Sequence, residues 1–205
     1  MTRLNRLGPA LFACLLLGAC SEPNKTEKAK EAKPPEALTG RQAFQRMYPQ
    51  ARVWAADAQP MLLRSISLAQ VPAPPGKSGA WELTFVSASK GRSRVYTYSA
   101  VEAEGNLHEG VFAGPDDAWS GPSMDHQQFL IAAIKIDSDE AYNIAAEKSK
   151  DYMKKHPDMP ISFVLEQTNR FPDLTWRVIW GESASTSDYS VFVDATMGKF
   201  LQTAH

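Results

Sequence analysis

Apolar positions recur at helical spacing twice along the chain, and each time the period then falls to two. In the first stretch Ala43, Phe44, Met47, Tyr48, Ala51, Val53 and Trp54 mark one side of a helix, with Pro49 as a kink or a break between two shorter helices. In the second, Ala141, Ile144, Ala145, Lys148 and Tyr152 share a side, and His156-Pro157 stops the helix. Both helices open on a capping template, Leu38-Thr39-x-x-Gln42 and Ile136-Asp137-x-x-Glu140, in which a short polar side chain can accept a backbone N–H that the first turn leaves free.

The period-two segments predict half-buried strands near residues 62–70, 81–87, 94–101 and 107–112, then 161–167, 175–180, 189–193 and 199–202. The two series correspond residue by residue in places. Trp81-x-Leu83-x-Phe85 answers to Trp176-x-Val178-x-Trp180, and Gly105-Asn106-Leu107 answers to Gly198-Lys199-Phe200. The expected fold class is therefore α+β, two tandem helix-on-antiparallel-sheet units, one over residues 39–113 and the other over 136–205. A connecting loop over 114–135, rich in Gly, Pro, Asp and Ser, separates them, with a short strand expected near Phe129-Leu130-Ile131.

The first 38 residues belong to a different class. Arg3 and Arg6 precede an apolar run from Leu7 to Leu17 that is too short to span a bilayer, and Leu17-Gly18-Ala19-Cys20 looks like a lipoprotein processing site. Residues 1–19 are thus expected to be a cleaved signal, with Cys20 the lipidated residue and a membrane reached through that lipid anchor. Residues 21–38 read SEPNKTEKAKEAKPPEAL, too polar and too rich in proline to offset the entropy of ordering, so 20–38 is expected to be a disordered linker. The expected location is the cell envelope, as an outer-membrane lipoprotein facing the periplasm or the cell surface.

Charge and cysteine content narrow the function classes. Removing residues 1–19 takes away Arg3 and Arg6 and no acid, which moves the formal charge from −1 to about −3. No basic patch suggests nucleic acid as a partner. The two cysteines are Cys14, inside the signal, and Cys20, so no disulfide is expected after processing.

The run Tyr189–Leu201, YSVFVDATMGKFL, following the strand TWRVIWG, resembles the PepSY domain. The likeness rests on Trp176, Val178, Val191, Val193, Asp194, Ala195, Gly198 and Lys199; the first half shares it only through its parallel with the second, since Ser99 stands where Asp194 stands. The resemblance implies a cystatin-like helix-on-sheet module that binds or restrains partners, and it assigns no chemistry.

Candidate site residues are few. His108, His126, His156 and His205 stand in no metal-ligand spacing, and no cofactor is expected. Asp125-His126 with Ser120 and Ser123 nearby suggests a hydrolase centre in the Asp116–His126 loop as an alternative. Trp119, in the Gly-Pro-Ser loop, either belongs to a recognition surface or plugs the gap between the two halves. Glu182 and Asp188 bound a small polar loop between two strands, read either as a flexible hairpin or as a partner-binding tip. The leading expectation is a non-enzymatic module that binds a protein or peptide; a small-ligand binder using the groove between the halves is the other alternative.

Overall fold

The computed structural model describes residues 35–205; the expected signal, Cys20 and most of the linker lie outside the described residues. In chain order the elements are β1 (Leu38–Thr39), α1 (Gly40–Trp54), β2 (Gln59–Ile66), β3 (Lys77–Ser78), β4 (Ala80–Ser87), β5 (Arg92–Ser99), β6 (Gly110–Ala118), α2 (Ser138–Lys148), α3 (Lys150–Lys155), β7 (Ile161–Glu166), β8 (Thr175–Trp180), β9 (Tyr189–Asp194) and β10 (Phe200–Ala204). A single 3₁₀ turn spans Ile131–Ala133.

The fold is α+β. Eight strands form one antiparallel sheet in the order β10-β9-β8-β7-β2-β4-β5-β6, and β1 with β3 forms a separate two-stranded ribbon. A meander of β2, β4, β5 and β6 thus meets a meander of β7 to β10 along the β2/β7 pair. That seam is short: Leu62, Leu63 and Arg64 pair with Glu166, Leu165 and Val164, and beyond them the Ser65 hydroxyl accepts the Phe163 N–H in place of a backbone carbonyl.

Strand alternation assigns the faces. Leu63, Trp81, Leu83, Phe85, Phe163, Leu165, Trp176, Val178, Val191 and Val193 point to one side and form a single core with Phe44 and Met47 of α1 and Ala141 and Ala145 of α2. Two tryptophans organise it. The Trp81 indole N–H donates to the Leu38 carbonyl and that of Trp176 to the Ile136 carbonyl, both at 2.9 Å, so each ring bonds the residue just before a helix N-cap. Trp81 and Trp176 then meet edge to face, ring centroids 6.4 Å apart.

The helix starts meet at the same place. Thr39 and Gln42 form the expected capping box on α1, but Asp137 does more than cap its own helix. Its carboxylate accepts the Arg41 N–H of α1 at 2.9 Å, and the Ser138 hydroxyl accepts the Gly40 N–H at 2.8 Å. The opening of α2 therefore supplies acceptors that the first turn of α1 would otherwise lack.

Several boundaries differ from expectation, each for a local reason. Helix α1 runs unbroken through Pro49, which sits on its exposed side where the carbonyl it leaves unbonded can meet water. The second helix instead breaks at Ser149, a buried residue whose hydroxyl donates to the Ala145 carbonyl at 2.7 Å. Strand β6 extends through Gly-Pro-Asp-Asp, read as loop in the sequence, because it is an edge strand: Pro115 needs no partner on its outer side, the register shifts opposite Arg94–Tyr96, and Asp116 pairs with Arg94. No strand forms at 129–131, where Phe129 is buried and Ile131 starts the 3₁₀ turn. Ala37 and Leu38, expected in the solvated linker, are buried, and Leu38 pairs with Ser78.

Candidate functional site

Both long helices cover one face of the sheet, and the candidate site lies on the other. There the registers place Arg64, Val164, Arg177 and Phe192 in one row across β2, β7, β8 and β9, with Glu166 one row away on β7. Adjacent strands lie about 4.8 Å apart, so Arg64 and Arg177 stand about 10 Å apart over Val164.

Two cavities open along this row, of about 330 and 310 Å³, and both are lined by His126, Glu166 and Arg177. The larger is floored by Leu62, Val164 and Ile179, flanked by Arg64, and roofed by Glu182–Ser185 of the β8–β9 loop. The smaller continues toward Phe171 and Phe192, which stack at 4.6 Å with Arg170 and Arg177 against the rings. The connection that carries His126 is held at the end of the seam by backbone bonds to Gln167 and to Pro60.

The charges in the cleft are incompletely matched. Arg177 donates through Nε to Ser190 Oγ at 3.0 Å and through Nη2 to the Ala184 carbonyl at 3.4 Å, which ties the loop to the sheet. No carboxylate among the described residues lies within 4.0 Å of its guanidinium. Burial lowers its pKa, and the negative charge of Glu166 partly restores it. Glu166 is shifted the other way: burial raises its pKa, which His126 and Arg177 oppose. Its nearest cationic candidate is His126, whose Nδ1 is 3.8 Å away and has no hydrogen-bond partner. Arg64, by contrast, is paired with Glu82 at 2.7 Å.

Of the residues singled out in the sequence, Glu182 lines the cleft, whereas Asp188, at the far end of the same loop, is exposed and does not. Trp119 does not plug the meeting of the halves. Its main-chain N–H donates to the Gly91 carbonyl at 3.0 Å, beside the β4–β5 turn, with β4 and β5 between it and the seam. The serine near His126 is also placed differently from a catalytic pair: Ser123 Oγ accepts the His126 main-chain N–H and makes no bond to the imidazole. Among the described residues no group of three His, Cys, Asp or Glu side chains could hold a metal ion, and no helix is long and apolar enough to cross a membrane.

Arg64, Glu166 and Arg177 were not anticipated as a site. Each reads in the sequence as the polar member of an alternating strand, and only the β2/β7 pairing brings the three together. Comparison with known proteins found no matching family model, no similar curated protein and no similar solved structure.

Proposed function

We propose that the chain is a lipid-tethered, non-enzymatic module of the cell envelope that holds a peptide or protein partner in the cleft over the β2/β7 seam. The observation that carries this reading is the cleft itself. The helix-free face presents a half-buried guanidinium with no carboxylate of the described residues within 4.0 Å and a half-buried carboxylate, Glu166, with the His126 imidazole 3.8 Å away, under a loop bonded to that guanidinium. Groups desolvated in this way and left unmatched lower the free energy of whatever completes them.

The tether belongs to the same reading. Cys20 in its lipoprotein processing site would fix the module to the outer membrane, and the polar linker would let the folded part reach a partner. We also read the fold as two tandem units, the first a diverged copy of a PepSY-like second. The paired meanders and the paired bonds from Trp81 to Leu38 and from Trp176 to Ile136 support that reading.

Affinity capture from detergent-solubilised envelopes tests the proposal. The full chain is compared with Ala184→Trp, which fills the cleft from its roof, and with Val53→Trp, on the exposed back of α1. The same protein or peptide should be recovered with wild type and Val53→Trp and lost with Ala184→Trp. Recovery of nothing above background, or equal recovery by all three, would overturn the reading.

A further inference from the structure

The cleft joins two features that recognise opposite charges, Arg177 on β8 and Glu166 one row away on the adjacent strand β7, with apolar residues around them. Arg177 has its Nε committed to Ser190 and its flat face against Phe192, centroid 5.5 Å away. Its Nη2 reaches the Ala184 carbonyl at 3.4 Å, and no carboxylate among the described residues, Glu166 and Glu182 of the same cavity included, lies within 4.0 Å of the guanidinium. A guanidinium held in plane by a neighbouring hydroxyl and a ring suits a planar carboxylate, which it can grip with two parallel hydrogen bonds. On the rim, Ser183 and Ser185 hydroxyls lie 3.0 Å from each other and can add donors.

Glu166 occupies the neighbouring row, and Glu182 of the β8–β9 loop lines the same cavity. The nearest basic side chain to this half-buried Glu166 carboxylate among the described residues, His126, stands 3.8 Å away and makes no hydrogen bond to it, which leaves the carboxylate able to accept from a ligand ammonium. Around these two groups the floor includes Leu62, Val164 and Ile179, which offer small apolar side chains an apolar surface. The cavity, about 330 Å³, falls at the small end of the roughly 300–1,000 Å³ range of ligand pockets, so it fits a few residues and not a folded domain.

We propose that this cleft binds a short peptide with both termini free, its carboxylate held by Arg177 and its ammonium by Glu166. The proposal rests on the reading of the cleft as the binding site and names the chemistry of what enters it.

Trialanine is the probe, added to the full chain in detergent micelles, with binding followed by NMR of the arginine Nε–Hε groups; the Arg177 signal is identified by its loss in Arg177→Lys. Free trialanine should shift that signal saturably. Amidating its C-terminus, which requires no protein variant, should weaken binding roughly ten- to hundredfold, as should Arg177→Gln in a chain shown by circular dichroism to be folded. Glu166→Gln should weaken free trialanine and leave N-acetyl-trialanine unchanged. If the amidated and acetylated peptides bind as well as the free one, or if trialanine leaves the Arg177 signal unmoved, the proposal is wrong. Should that happen while the Ala184→Trp capture difference persists, the ligand class fails and the binding site stands; if the capture difference is also absent, both fail.

Discussion

Asp57 and Glu166 are carboxylates that the fold treats in opposite ways. The Ser87 hydroxyl donates to Asp57 at 2.6 Å and the Ser89 N–H at 2.8 Å, and these bonds hold its pKa down at about 2 from an ordinary 3.8. A depressed carboxylate lends stability above its unfolded value and loses it as pH falls through the folded one. Asp57→Ala should therefore lower the melting temperature at pH 7, by an amount that shrinks as the pH approaches 2. Glu166 carries a raised pKa because burial outweighs the attraction of His126 and Arg177, so it favours the fold when protonated and disfavours it as pH rises through its folded value. Glu166→Gln should match or exceed wild type in melting temperature at pH 7, with the gain fading below the ordinary value of 4.5. A drop in stability at pH 7 would mean that its partners outweigh its desolvation. A gain there, together with lost binding of the free-amine peptide, would be the pattern of a group kept for function at a cost in stability.

Among the elements, the two helix starts show what the sequence disclosed and what it concealed. Thr39 and Gln42 were legible as a capping box because the motif is local. The Asp137 and Ser138 bonds to α1 were not, since they join residues 96 and 98 positions apart. The strands of the second meander were located closely, Thr175–Trp180 to the residue, because their apolar runs are bounded by turn residues on both sides. Strand β6 was missed past residue 112, because Gly-Pro-Asp-Asp has loop composition and only its position on an outer edge makes it a strand. The cleft escaped for a related reason: alternation shows that Arg64, Glu166 and Arg177 point away from the core, but no feature of a single strand reveals its neighbour. Gly40 offers an element-scale test. Replacing glycine inside a helix by alanine ordinarily favours the helix by about 1 kcal/mol. A Cβ here would sit 2.5 Å from the Trp176 ring and 3.3 Å from that of Trp81, so Gly40→Ala should instead destabilise by about 1–3 kcal/mol in urea unfolding.

On the scale of the whole molecule, two meanders share one sheet, one main core and one helix-free face, and the proposed tether would keep the folded part at a membrane. The anchor and the fold should be separable. Cys20→Ser should abolish incorporation of labelled fatty acid and release the protein from membranes, while its melting temperature stays that of wild type in the same detergent. Unchanged labelling would remove the lipoprotein reading. The claim that the helix-free face is the working surface is tested most directly inside intact cells. A photoreactive benzoylphenylalanine placed at Ala184, on the cleft roof, should form a discrete adduct with a partner on irradiation, and the same residue at Val53, on the back of α1, should form none. Adducts of the same partner from both positions, or from Val53 alone, would contradict the account.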